Sequence, residues 1–220
     1  MSDVRAAPPA ESLRTLLGGR RGALDASLPP AAFALGWLVF AHSIAWASVT
    51  ALAVGIAIGV LRLVRGHRII AVLASVAVVA GGALIAARTG RAQDFFLIQL
   101  LSNAGSGLAW ILSILIRWPL LGLVVGFLLG QKTRWRRDPD LLRAYAVASW
   151  IWVAQYTIRV AVFGALWLSG SVVALGIARI ALSWPLVAAT VAVSALVFGH
   201  TLPDAHPGIR HPGGQPPAAG

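Results

Sequence analysis

The chain has no cysteine in its 220 residues, which excludes disulfides, thiolate nucleophiles and cysteine-ligated metals. Acid is scarce. Asp3, Glu11, Asp25, Asp94, Asp138, Asp140 and Asp204 are the whole complement, and none stands within a long apolar stretch. A general base or a carboxylate metal ligand is therefore not expected inside the hydrophobic part of the chain. Also missing are a Gly-rich phosphate loop ending in Lys and Ser/Thr, an Asp-rich magnesium-diphosphate motif, a Gly-x-Ser-x-Gly elbow and a His-Glu-x-x-His pair. The histidines, His42, His67, His200, His206 and His211, are scattered and have no carboxylate at ligand spacing. No metal or cofactor is expected, and the chain reads as a non-enzyme.

Apolar residues are abundant. They make up 58% of the chain against 11% charged, with mean hydropathy +0.81, more than one soluble core can hide, so the bilayer is the expected solvent. A net charge of +11 would suggest nucleic acid in a soluble protein. Here most basic residues lie between hydrophobic runs, where the positive-inside rule accounts for them, and no nucleic-acid partner is expected. Lysine occurs once, at Lys132, so nearly all of the 18 basic residues are arginine, a usage that matches high-GC bacterial coding and a bacterial plasma membrane.

Three regions follow from the patterning: a cytoplasmic N-terminal tail at 1–28, a transmembrane helical domain at 29–200, and a disordered Pro/Gly-rich tail at 201–220. The first 28 residues have no apolar core of signal-peptide length; a short helix is possible at 11–17. Pro29 and Pro30 open an apolar run that continues to Leu61, about 48 Å if wholly helical against a hydrocarbon core of about 30 Å. The polar pair His42-Ser43 is the natural break. It separates a short element at 30–42 from a second helix that carries Gly55 and Gly59 for close packing. Further long segments are expected at 69–87, 95–116, 144–168 and 171–198, the last kinked at Pro185. Between them 120–130 is too short to cross, about 17 Å, and reads as a half-helix. The fold class is thus all-α, a polytopic transmembrane helical bundle of about six membrane segments plus one half-helix.

The basic residues orient it. Arg62, Arg65, Arg68, Arg117, Lys132, Arg134, Arg136, Arg137 and Arg143 fall on one side with both termini, leaving Arg88 and Arg91 on the other, so both termini are expected in the cytoplasm. Trp135, among the arginines of the 131–142 loop, reads as an interfacial anchor. Gly122, Gly126 and Gly130 form a small-xxx-small ridge that suits packing within the chain or a homodimer face. A three-residue echo, Trp118-Pro119-Leu120 against Trp184-Pro185-Leu186, sets an interruption in each half of the chain. Matching interruptions can mark a transporter site, and Trp-Pro at an interface is also a common anchor and kink.

Arg159 and Arg179 are the residues most suggestive of function, since each lies well inside a span, where an arginine costs several kcal/mol unless it snorkels or finds partners. Trp152, Gln155, Tyr156 and Arg159 share one helical face. A second polar stripe runs through Gln99, Ser102, Asn103, Ser106 and Ser113, and a third through Arg179, Ser183, Thr190 and Ser194. The three could line one cleft. Two readings stand: Asn103, Gln99 and Gln155 act as interhelical glue for the two arginines, or the guanidinium pair awaits a phosphate, carboxylate or lipid headgroup.

Gly-Gly-Arg-Arg-Gly at 18–22, Leu-Pro-Pro at 28–30, Gly-Val-Leu-Arg at 59–62, Ser-Asn-Ala at 102–104 and Arg-Trp-Pro-Leu-Leu-Gly at 117–122 resemble an uncharacterised family of integral membrane proteins from high-GC Gram-positive bacteria. At a greater distance the chain is similar to the intracellular septation protein A (YciB) family, through an early proline in the first apolar run, a basic turn after the second helix and a basic-Pro-Leu junction at 117–120. The resemblance implies a membrane fold and a role in the cell envelope, with no catalytic residue to carry over. The expected function is a non-enzymatic cell-envelope protein, with membrane lipids, a homo-oligomer or envelope proteins as partners. The alternative is a small transporter or lipid-handling protein with an intramembrane anion site at Arg159 and Arg179.

Overall fold

The computed structural model describes residues 19–130, 133–203 and 206. Among them every regular element is helical: α1 (Gly19–Val39), α2 (Ile44–Val64), α3 (Ile69–Thr89), a 3-10 turn (Ala92–Phe96) leading into α4 (Leu97–Leu115), α5 (Leu120–Leu128), a second 3-10 turn (Arg134–Arg137), α6 (Pro139–Leu168), α7 (Val172–Ala181) and α8 (Trp184–Thr201). Five of these are long and apolar enough to cross a membrane: α2, α3, α4 with its leading turn, α6 and α8. No more than 22% of each span's most apolar stretch is buried inside the protein. Their outer faces carry Ile70, Leu84, Leu112 and Leu168 in the open. Apolar surface on that scale has lipid as its partner, and the chain is a multi-pass membrane protein built as a helical bundle.

The break at His42-Ser43 is present. Ala41 and His42 turn the chain with φ of 49° and 62°, and the Ser43 side chain then caps α2 by accepting from the Trp46 N–H. Gly55 and Gly59 are buried, with Val79 and Val72 of α3 against the space a side chain would need. The half-helix is also as expected, nine residues at Leu120–Leu128.

Several expectations are corrected. α1 does not open at Pro29-Pro30; it starts ahead of them and carries both prolines in its interior. Each proline removes one i→i−4 donor, so the carbonyls of Asp25 and Ala26 lose their helical partners. The helix tolerates this because it is held on two sides, by α2 along its length and by α7. At the α7 crossing Gly176 lets the Ala34 side chain come so close that a Cβ there would stand 2.6 Å from it. The segment 171–198 is not one kinked helix but two, broken at Leu182-Ser183 between α7 and α8. Trp135 is not the interfacial anchor its neighbours suggest. It is fully buried, its indole lying over Gly122 and edge-on to Tyr145 at 5.4 Å. The glycine ridge divides accordingly: Gly122 and Gly126 are buried in α5, while Gly130 lies beyond the helix at φ 66°, a left-handed turn that favours glycine. The possible helix at 11–17 lies outside the described residues, as does most of the tail at 201–220. α8 nevertheless runs to Thr201, and His206 meets a carboxylate at 2.8 Å, that of Asp138, the N-cap of α6.

The helices assemble as two lobes. α1, α2, α3 and α7 form one; α4, α6 and α8, with α5, form the other. The lobes join through an apolar plug in which Phe33 of α1 stacks on Phe95 at 3.9 Å, with Phe96 edge-on and Phe163 of α6 in the same cluster. The plug lies toward the end where Asp94 accepts a hydrogen bond from the Trp167 indole at 2.9 Å. The opposite end holds the basic turns, and both the start of α1 and the end of α8 lie there, tied by Asp25 to Arg62 at 3.4 Å and by Phe198 to Tyr145. Beneath the plug the lobes separate and leave a cleft.

Candidate functional site

Helix interruptions furnish the polar groups of this cleft. The Ala26 carbonyl, stripped of its donor by Pro30, accepts a long hydrogen bond, 3.5 Å, from Arg179 of α7. The Ser183 carbonyl, at the break between α7 and α8, accepts from Arg159 of α6 at 3.2 Å. Arg179 also donates to the Gln99 side-chain oxygen on α4, and the Arg159 guanidinium lies 5.9 Å from the centre of the Tyr156 ring. These contacts use part of two five-donor groups. The buried Nε of Arg159 and that of Arg179 each have no partner.

Both guanidinium groups line one cavity of about 290 Å³, together with Ala26, Ser27, Gln99, Phe163, Leu182, Ser183, Trp184 and Val187. No carboxylate is among these lining residues, so among the described residues two arginines share one cavity whose lining carries no opposite charge. A phosphate or carboxylate group is what such a pair is suited to hold, since each guanidinium presents a planar fork of donors.

A second cavity of about 290 Å³ adjoins the first and shares Ala26, Gln99 and Arg179 with it. Its other polar residues are Asp25, Arg62, Ser75 and Ser102, and its walls are Pro29, Pro30, Ile58, Val78, Val79, Phe95, Phe96 and Ile98. The expectation that no acid stands in the cleft is therefore corrected. Asp25 does so, within α1 and paired with Arg62. The signal was present in the chain: prolines at 29 and 30 free the carbonyls four residues earlier, and a carboxylate at one of those two positions shares their surroundings. It is visible only once the helix is known to begin before the prolines.

The sequence candidates thus divide into two groups. Arg159, Arg179 and Gln99 meet at the cavity, and Tyr156 lies beside Arg159. Asn103 and Gln155 do not line either cavity. Asn103 shares a face of α4 with Gly107 and Trp110, which pack on Tyr156 and Trp152 of α6. Asn103 is buried with its Nδ2 unpartnered, and Gln155 is buried with its Oε1 unpartnered. Ser113, Thr190 and Ser194 are likewise buried; Ser113 and Thr190 bond to carbonyls of their own helices, and Ser194 Oγ has no partner. Each of the three stripes thus reaches the cavity through one or two residues, Arg159, Gln99, and Arg179 with Ser183, while the rest of each stripe lies outside it. Among the described residues no cluster of three or more His, Asp or Glu side chains could hold a metal ion.

No curated protein and no solved structure matches this chain. Residues 17–205, from just before α1 to just past α8, match the model of a family described as "Protein of unknown function (DUF3159)", and the chain belongs to that family.

Proposed function

We propose that this protein binds an anionic group, a phosphate or a carboxylate, in its intramembrane cleft, and that it acts as a non-enzymatic transporter or lipid-handling protein of a bacterial plasma membrane. The observation that carries this reading is the shared cavity: Arg159 and Arg179 both line it, each with an unbonded Nε, and no carboxylate stands among its lining residues. A role in the cell envelope fits the resemblance to the septation protein family, and packing against envelope proteins or a second copy remains part of the proposal.

The test is thermal stability of the purified protein with and without inorganic phosphate and phosphatidylglycerol. Ligand at a hundred times its Kd should stabilise the wild type by about 2.7 kcal/mol. Arg159→Gln and Arg179→Gln should each lose most of the gain from inorganic phosphate, and the double variant should lose less than the sum, since a ligand released by one change has little left to lose. Arg159→Lys should not restore it, because an ammonium lacks the planar fork and is more strongly hydrated. A wild type that gains nothing from either probe would leave the arginines as struts, fastened to Ala26, Gln99 and Ser183.

The proposal places both termini in the cytoplasm. It is supported by the basic turns, which share one end of the bundle with the start of α1 and the end of α8. Reporter fusions at Arg137 and at the C-terminus should both read cytoplasmic; a periplasmic signal at either would overturn the orientation.

A further inference from the structure

The cavity bounded by Asp25, Arg62 and Arg179 differs from its neighbour in one respect that bears on what it holds. Its charged groups, Asp25, Arg62 and Arg179, come from α1, α2 and α7, whereas α3 and α4 contribute Val78, Val79 and Ile98 beside the uncharged Ser75, Gln99 and Ser102. α3 closes on the turn leading into α4 where the Gly82 backbone meets Phe95, so tightly that a Cβ there would stand 2.7 Å from the Phe95 carbonyl oxygen, and Gly81 lies against Ile98 at the start of α4. Elsewhere these two helices touch sparsely. Along the gap between them Val78 and Ser102 are exposed. A cavity that combines charged groups from three helices with apolar side chains at a lateral gap between two membrane-spanning helices suits an amphiphile arriving from the bilayer.

We propose that this groove binds an anionic membrane phospholipid, its phosphate between Arg62 and Arg179 and its acyl chain leaving between α3 and α4 across Val78, Val79 and Ile98. The proposal rests on the anion reading above and deepens it, since it names the ligand class and adds a second subsite through the shared Arg179. Charge complementarity selects the anion. Among the described residues two guanidinium groups and one carboxylate line the groove. Ser102 offers a hydroxyl donor on α4, whereas the hydrogen of the Ser75 hydroxyl is taken by the Val72 carbonyl at 2.7 Å. Asp25 sets the strength of the site, because its carboxylate competes with the headgroup for Arg62 at 3.4 Å.

The experiment is native mass spectrometry of the full chain released from nanodiscs containing equal amounts of phosphatidylglycerol and phosphatidylcholine, with thermal stability in inorganic phosphate measured in parallel. Wild type should retain phosphatidylglycerol in preference to phosphatidylcholine. Ser102→Trp fills the gap from an exposed position and should abolish the retained lipid while leaving stabilisation by phosphate unchanged. Arg62→Gln should lower retention about tenfold, the loss of one charge-assisted contact, and Asp25→Asn should raise it. Arg159→Gln should do the reverse of Ser102→Trp, losing the phosphate response while keeping the lipid. Equal retention of the two lipids, or undiminished phosphatidylglycerol in both Ser102→Trp and Arg62→Gln, overturns the groove. Failure of the Arg159 arm alone overturns only the inner site.

Discussion

Replacing both cleft arginines by methionine, Arg159→Met together with Arg179→Met, is expected to raise the stability of the protein and abolish its response to anions. An arginine at membrane depth costs about 2.5–3.5 kcal/mol, and here two face one cavity that has no carboxylate in its lining. Their compensation is the bonds to the Ser183 carbonyl and to Gln99, each worth about 1.5–3 kcal/mol with a charged donor, and a long, weaker one to the Ala26 carbonyl. The desolvation of two guanidinium groups is the larger quantity, and methionine fills irregular apolar space at little strain. A net stabilisation of about 1 kcal/mol follows from that difference. Replacing buried charge by apolar side chains has this sign in other proteins. Equilibrium unfolding in a single detergent, with and without phosphate, measures both quantities. If the double variant is less stable than wild type, the hydrogen bonds outweigh the charge and the pair is a structural cross-link between α6, α7 and the interrupted α1.

A loss of about 3–5 kcal/mol is expected for Trp135→Ala, in the range of large aromatic truncations in a core. The indole is fully buried, lies over Gly122 of α5 and is edge-on to Tyr145 of α6, so its removal leaves a void where three elements meet. The same cluster contains Leu141 and is flanked by Phe198 near the end of α8, so the loss should loosen the whole basic end. Trp118→Ala is the comparison. That ring is partly exposed and carries the Arg136 guanidinium over its face at 4.1 Å, an exposed cation–π contact worth about 0.5–1 kcal/mol. Thermal melts of the two variants should differ widely. Similar small losses for both would mean that Trp135 acts as the interfacial anchor its neighbours in sequence suggest, and that the Gly122 contact carries no weight.

The apolar excess, the spacing of basic turns and the absence of acid from long hydrophobic runs determined the bilayer as solvent, the helical fold class and the positions of most spans. These properties are additive along the chain: a residue's transfer energy depends little on what it will touch, so it can be summed from sequence. Gly55 and Gly59, the half-helix at Leu120–Leu128 and the break at His42-Ser43 were legible for the same reason, since each is a local steric or length constraint.

Only the tertiary structure decided which polar residues meet. Arg179 reaches Gln99 across 80 positions and the Ala26 carbonyl across 153, whereas Asn103 and Gln155, on the same stripes, are buried outside both cavities. Helical periodicity assigns a side chain to a face, and what lies opposite that face depends on how the lobes pack. α1 is the clearest instance. Local propensity stops a helix at a double proline, yet packing against α2 and Gly176 of α7 carries it through, brings Asp25 into the cleft and turns a carbonyl toward Arg179. Trp135 likewise sits among arginines in sequence and reads as a surface residue, while the space over Gly122 makes it core. In both places the energy of long-range packing exceeds the local preference that sequence patterns record.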